Sequence, residues 1–452
     1  MFDPTQMFVL IGVMLTLVFA GVHIAVSLGL TSMLGIYMFT GEIDTVLSFA
    51  SSTAYEALRD YVFAVIPLFM LMGEFLAKCG AASDLFALIN RHSRWMPARL
   101  GIATVLANAV FAFITGVSIA AAAAFSKIAY PEMRRFGYER KLALGCIAGS
   151  ACLGMLIPPS VLLIVWGVLT EMAIGKLFIA GILPGLVVVT LFVGYLIWVA
   201  KTQPHRVGES ADKHPAQHAP DSDQPLSDDM RVVLLSTLGI IALIVIVLGG
   251  IWLGFFTPTE GAGVGAALAL GLAMLRGMKP AEMLQAILSV GRTSAPLLLM
   301  LVTAQLYSRV LSMTGVTAAA NEFFVNSGWS PYAVLMLMVG VWFVLGCIID
   351  SISIILLTVP VFAPLAVALG FDPFAFAIMG VLAIEAGLLT PPFGILVFTV
   401  KAAITDEPDL KAGEIFLGSI PYWIALLLAI LALLLIPEFA TWLPNLGSKV
   451  GG

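Results

Sequence analysis

The residues best suited to chemistry in this sequence are hydroxyls, main-chain carbonyls and a few acids placed at breaks in apolar runs. Four breaks occur, as two pairs. Thr115-Gly116-Val117-Ser118 and Asp350-Ser351-Ile352-Ser353 interrupt one kind of segment. Gly154-Met155-Leu156-Ile157-Pro158-Pro159-Ser160 and Gly387-Leu388-Leu389-Thr390-Pro391-Pro392-Phe393 interrupt another. Proline withdraws the N–H that would close the preceding turn and frees carbonyls there. Freed carbonyls together with Ser or Thr hydroxyls make a hard-oxygen site suited to a small cation such as Na+, and half-helix N-termini favour an anionic substrate. This reading assigns one cation to Gly116, Ser118, Gly154, Ile157 and Pro158, and a second to Asp350, Ser351, Gly387, Thr390 and Pro391. Ser118, Ser160, Ser353 and Thr390 face the substrate. The plain alternative makes each Pro-Pro a structural kink only; recurrence in a matched pair favours the functional reading.

Charges at membrane depth are costly and usually mark function. Asp350 stands at the second tip, with Val117 opposite. Its carboxylate ligates a cation, carries a proton, or caps a helix beside Ser351. Glu385, two residues before the Gly387 break, either pairs with a cation or hydrogen-bonds the broken backbone. Glu74 pairs with Lys78 at i,i+4. Lys127 and Arg309 either meet an anion or reach water along their stems. The four cysteines (Cys79, Cys146, Cys152, Cys347) have no CxxC spacing and read as packing residues.

The elements that must hold these groups are membrane helices. Of 452 residues, 60% are hydrophobic and 11% charged, and the mean hydropathy is +1.05. A soluble domain is about 25% charged. A soluble enzyme and a disordered chain are excluded, and 22 Lys and Arg over this length cannot form a nucleic-acid-binding face. The apolar runs are continuous, not the short alternating strands of an outer-membrane barrel, and a helix needs about 20 apolar residues to cross. The chain is an all-α polytopic membrane protein. Its first apolar run lacks a basic flank and reads as a span, not a cleaved signal.

The two halves of the chain repeat. A shift of 233 residues brings Ser118-Ile119 onto Ser351-Ile352, Pro131 onto Pro364, Gly137 onto Gly370, Gly154 onto Gly387, Pro158-Pro159 onto Pro391-Pro392 and Leu163 onto Leu396, with no gap. Each half (1–200 and 232–452) reads as two spans (7–22 and 24–40; 232–254 and 258–275), an amphipathic surface stretch (42–60; 279–293) and a third span (61–79; 293–312). An interrupted segment (97–135; 331–369), a helix broken by Pro-Pro and a last span (177–200; 414–436) follow. Residues 201–231, rich in Pro, Asp and His, read as a flexible polar linker; His205, His214 and His218 either bind a metal or are merely solvated there.

If 97–135 is a re-entrant helical hairpin, then Arg91, Arg94, Arg99, Arg134, Arg135, Arg140, Lys141, Lys201 and Arg206 all fall on one side, a positive-inside pattern. A single crossing would split them. The hairpin reading puts the linker in the cytoplasm and the N-terminus in the periplasm. It gives each half five crossings, so the second half is inverted. Inverted repeats with broken helices are a transporter architecture. An intramembrane enzyme would need a catalytic pair; His23 is the one histidine in a span, and Asp350 has no second Asp facing it. No Gly-rich phosphate loop precedes a helix, so direct ATP use is not expected.

Several segments carry a family resemblance: Tyr130-Pro131-Glu132-Met133-Arg134-Arg135-Phe136-Gly137-Tyr138, Leu156-Ile157-Pro158-Pro159-Ser160, Trp166-Gly167-Val168-Leu169-Thr170-Glu171 and Ile174-Gly175-Lys176-Leu177-Phe178-Ile179-Ala180-Gly181. Phe256-Thr257-Pro258-Thr259-Glu260, Gly346-Cys347-Ile348-Ile349-Asp350-Ser351 and Gly387-Leu388-Leu389-Thr390-Pro391-Pro392 do so in the second half. Together they resemble the large membrane subunit of tripartite ATP-independent periplasmic (TRAP) transporters, C4-dicarboxylate branch, over nearly the whole chain outside the linker. The resemblance implies a Na+-driven elevator of the inner membrane, without cofactor, whose moving domain holds the two hairpins. It implies a separate small four-helix membrane subunit and a soluble periplasmic binding protein that delivers an organic acid. A stand-alone Na+- or H+-coupled anion transporter of the same architecture is the alternative. The sequence departs from the family at the first tip, where Gly116-Val117-Ser118 stands for the usual Gly-Ser-Ser, and at Lys127, where a small residue is usual. The first cation site is then expected to rely more on carbonyls of residues 154–160.

Overall fold

A computed structural model describes residues 4–93, 95–208, 230–326 and 328–450, and the described residues are almost entirely helical. The first half runs α1 (Pro4–Phe19), α2 (Ile24–Thr40), α3 (Ile43–Arg59), α4 (Val65–Lys78), α5 (Ala81–His92), α6 (Arg99–Thr115), α7 (Ser118–Arg135), α8 (Arg140–Ala151), the single turn α9 (Leu153–Leu156), α10 (Val161–Thr170) and α11 (Ile174–Thr202). The second runs α12 (Met230–Trp252), α13 (Pro258–Leu275), α14 (Pro280–Met313), α15 (Val316–Asn326), α16 (Pro331–Gly346), α17 (Ser351–Ala368), α18 (Pro373–Gly387), α19 (Ile395–Ala403), α20 (Ala412–Leu435) and α21 (Glu438–Val450). Among the described residues, seven helical stretches are long and apolar enough to cross a membrane, including Arg140–Thr170 and Ala412–Leu435.

Local sequence sets the helix starts. Thr257 and Glu260 form a reciprocal capping box around Pro258 at the start of α13: Glu260 N donates to Thr257 Oγ1 at 3.3 Å and Thr257 N to Glu260 Oε2 at 2.8 Å. Asp372 accepts from the N–H groups of Phe374 and Ala375, both at 2.9 Å, ahead of Pro373 in α18. His23, the histidine in an apolar stretch, caps α2 by accepting from Ala25 N.

Two packing groups emerge. Helices α1–α4 and α12–α14 pack mainly on one another, whereas α6–α11 and α16–α21 form the other group. The second group holds the deepest core. Every residue of α8 from Leu142 to Ala151, and of α18 from Ala375 to Gly387, is buried. Small residues permit this. A Cβ on Gly145 would lie 2.0 Å from Gly418 O, and one on Gly149 would strike the Tyr422 ring. Close approach of backbones over small residues is how helices associate where apolar burial against lipid gives little drive.

Two expectations change. The stretch 279–293 is not a surface helix separate from the third span: α14 runs unbroken for 34 residues through Pro296. Its first-half counterpart is interrupted, because Asp60 is extended and its carboxylate accepts from Val62 N at 3.0 Å, starting a new short turn. The start of the supposed linker is also ordered. Helix α11 continues to Thr202, Arg206 pairs with Glu139, and Val207 bridges to Tyr138. Residues 209–229, with His214 and His218, lie outside the described residues. Helices α5 and α15 were not anticipated; they occupy matching positions after the third span of each half.

Candidate ion and substrate site

The first tip is a left-handed turn. Gly116 closes α6 at φ +61°, a conformation that favours glycine. A Cβ there would also lie 2.4 Å from Pro159 O. Gly116 O accepts from Val161 N at 3.2 Å, so the tip is fastened to the break between α9 and α10. The break itself contains a cis Pro158-Pro159 bond. Gly154 brings α9 against the first turn of α7: its Cβ would meet Ser118 N at 2.9 Å. Gly116, Ser118, Gly154 and the Pro-Pro segment are therefore neighbours. The Ile157 side chain packs against Gly185 of α11. The Ser160 hydroxyl donates to Met155 O and accepts from Leu163 N at 3.3 Å, so it closes the break and caps α10.

The second tip is built differently and reaches the same result. Phe393 N and Gly394 N both donate to Cys347 O, at 3.1 and 3.2 Å, fastening that tip to the break between α18 and α19. Gly346 and Gly387 pack backbone to backbone; a Cβ on Gly387 would lie 2.4 Å from Phe343 O. Pro391-Pro392 is cis as well. The Thr390 hydroxyl donates to Gly387 O at 2.8 Å and lies 2.8 Å from Cys347 Sγ. Asp350 caps α17: Oδ2 accepts from Ser353 N at 3.0 Å and Oδ1 from Ser353 Oγ at 2.5 Å. The capping alternative is thus realised. It accounts for the Asp350/Val117 asymmetry, because α7 has no side-chain cap.

Glu385 joins the two tips. It is 1% exposed. Oε2 accepts from Ser118 Oγ at 2.7 Å and Oε1 from Ser351 Oγ at 3.0 Å. Cys152, which the 233-residue shift places opposite Glu385, donates its thiol to the Glu385 carbonyl at 3.5 Å. From the sequence alone, Glu385 has two open roles and no place in the site. The signal available was a lone carboxylate inside a 15-residue apolar helix.

Between the tips lies a cavity of about 150 Å3, mostly apolar, with Ser118, Asp350, Ser351 and Thr293 as its polar members. Two wider cavities adjoin each other and share Glu171 and Ser308. One, of about 580 Å3, is lined by Glu56, Tyr61, Thr257 and Arg309; the other, of about 510 Å3, by Trp166, Pro360 and Pro364. Arg309 pairs with Glu56 at 2.5 Å and Thr53 at 3.2 Å. Glu74 and Lys78 pair at 3.6 Å, and Lys127 is exposed. Among the described residues no cluster of three His, Cys, Asp or Glu could hold a metal. Any small cation here would rest on carbonyls and hydroxyls of the breaks and on single carboxylates.

A family model described as the tripartite ATP-independent periplasmic transporter, DctM component, matches residues 11–439. The chain belongs to the TRAP transporter family, as its DctM component. The C4-dicarboxylate TRAP transporter large permease protein DctM of Pseudomonas aeruginosa is 33% identical, over 93% of this chain and 94% of the relative. The protein of the same name in Rhodobacter capsulatus is 28% identical over 97% and 98%. The sialic acid TRAP transporter large permease SiaM of Vibrio cholerae is 26% identical over 96% and 97%. Membership makes this TRAP large permease a transporter subunit rather than an enzyme. Its fold is like that of the Alcanivorax borkumensis YdaH transporter, with a TM-score of 0.55 at 16% identity over 92% of this chain and 90% of that one. It is also like Neisseria gonorrhoeae MtrF, with 0.59 at 11% over 90% and 85%.

Proposed function

We propose that this chain is the transport subunit of a Na+-coupled secondary transporter that imports an organic acid, C4-dicarboxylate in type, across the bacterial inner membrane. A periplasmic binding protein supplies the acid and a small four-helix membrane subunit completes the permease. The observation that carries this reading is the pairing of each hairpin tip with its own Pro-Pro break, twice, in a chain of the TRAP family. The names of the two DctM relatives support the substrate class.

In this reading the halves 1–200 and 232–452 are inverted repeats, with re-entrant hairpins at 97–135 and 331–369. The linker 201–231 lies in the cytoplasm and the N-terminus in the periplasm. Na+ is held by carbonyls and hydroxyls of Gly116, Ser118, Gly154, Ile157 and Pro158, and by Asp350, Ser351, Gly387, Thr390 and Pro391. Ser118 turns to the acid between the tips, whereas Ser160, Ser353 and Thr390, expected there from the sequence, hold Met155 O, Asp350 and Gly387 O and keep the surrounding breaks and cap in shape. The group of α6–α10 and α16–α19 travels as an elevator, while α1–α4 and α12–α14 stay. The cavity beside Glu56, Tyr61 and Arg309 lies at the border of these groups and offers the path by which the acid enters. The test is reconstitution with a small subunit and a periplasmic binding protein of the same transporter, against a panel of carboxylates. Uptake of a dicarboxylate only when the binding protein is present supports the reading. Equal uptake without it would make the chain a stand-alone anion transporter.

A further inference from the structure

Each tip is fastened to the break of its own half, by Val161 N to Gly116 O and by Gly394 N to Cys347 O. Those bonds make two tip-and-break units, and neither joins one unit to the other. Glu385 does. It belongs to the helix that carries the second break, yet one of its oxygens holds Ser118 of the first tip and the other holds Ser351 of the second. Cys152, from the helix that carries the first break, meets the Glu385 carbonyl at the same level. The carboxylate is buried, and among the described residues no Lys, Arg or His forms an ion pair with it. One side-chain oxygen accepts from a hydroxyl of the first tip and the other from a hydroxyl of the second. A shift of either hydroxyl must therefore move the carboxylate and draw on the other hydroxyl.

We propose that Glu385 is a positioning residue that locks the two hairpin tips into one unit, so that a cation entering one tip site sets the geometry of the other. This rests on the two-site reading above. Coupling between sites is an energy difference that both ligands feel reciprocally, and a shared carboxylate between two rigid turns is a physical carrier for it.

The test uses the complete transporter in lipid nanodiscs and liposomes, with Glu385→Gln and Glu385→Ala. Hydrogen exchange is followed first without any Na+. Glu385→Ala is expected to speed exchange several-fold at both 112–120 and 346–354 together, with α8 unchanged. In Glu385→Gln the amide accepts from one hydroxyl and donates to the other, so wild-type protection is expected. In Na+ titrations of uptake, the Hill coefficient is expected to fall to about 1 in Glu385→Ala and to hold its wild-type value in Glu385→Gln. If Glu385→Ala does not fold, Ser351→Ala serves: it should loosen 112–120, to which Ser351 is linked through Glu385. Tips that stay protected in Glu385→Ala, or loosening confined to the second tip in Ser351→Ala, would overturn the proposal. Uptake that needs no Na+ would remove the two-site reading, while exchange without Na+ still decides whether the carboxylate locks the tips.

Discussion

Ser118 and Ser351 occupy matching positions in the two halves and donate to the two oxygens of one carboxylate, Glu385, at 2.7 and 3.0 Å. Removing either donor strands half of a buried acceptor. A buried group left without its partner costs about 1–3 kcal/mol, more where it is charged. Ser118→Ala and Ser351→Ala should each lower the thermal midpoint measured in detergent. Ser118→Thr, which keeps the hydroxyl, should lower it less. Equal midpoints for Ser118→Ala and wild type would show that the bond to Glu385 adds nothing to stability.

Asp350 combines a demonstrated cap with the proposed ligation of a cation. Asn caps nearly as well as Asp, so Asp350→Asn should keep membrane expression near normal while raising the Na+ concentration for half-maximal uptake. Asp350→Ala should in addition lose the cap, about 1 kcal/mol. A wild-type Na+ response in Asp350→Asn would leave this residue as a cap only and the carbonyls as the ligands.

The breaks were legible because their signals are local. Glycine, proline and hydroxyls recur at a fixed offset, and each acts on the turn that contains it. Even the Asp350 cap could be read as an alternative, since a cap bonds within three residues. The role of Glu385 could not be read, because Ser118 lies 267 residues away and only the fold brings them together. The unbroken α14 escaped for another reason. Polarity argued for a surface helix at 279–293, but nothing before Pro296 stops the helix, whereas Asp60 does so in the other half. Helices α5 and α15 are short, 12 and 11 residues, and hydropathy windows sized for spans pass over them.

Packing in the second group leaves no room for a methyl group at Gly145 or Gly418, whose backbones touch. Gly145→Ala should destabilise by about 1–3 kcal/mol, the usual cost of overpacking. Gly263 has nothing within 4 Å of its Cβ position, and Gly263→Ala, in the interior of α13, should be neutral or stabilising by up to about 1 kcal/mol. Thermal midpoints in one detergent compare the two; a tolerated Gly145→Ala would mean that α8 and α20 are not pressed together.

Relative motion is tested at Gly73 of α4, where a Cβ would lie 2.5 Å from Ile114 O beside the first tip. On the proposed elevator division, this contact crosses from the staying group to the travelling one. Cysteines at Gly73 and Thr115 should crosslink in a fraction of molecules that changes with Na+ and substrate, and the crosslink should stop uptake. Cysteines at Met72 and Gly265, both within the staying group, should link to the same extent in every condition. Two pairs that behave alike would contradict an elevator division along this border.

In the proposed mechanism, paired breaks in a TRAP large permease couple an acid to Na+. The most direct measurement is uptake of a labelled dicarboxylate into liposomes that hold the complete transporter, with the binding protein supplied outside. An inward Na+ gradient is compared with a K+ gradient at constant pH. Accumulation with Na+ and near-background uptake with K+ is the predicted result; equal accumulation with either cation would contradict it.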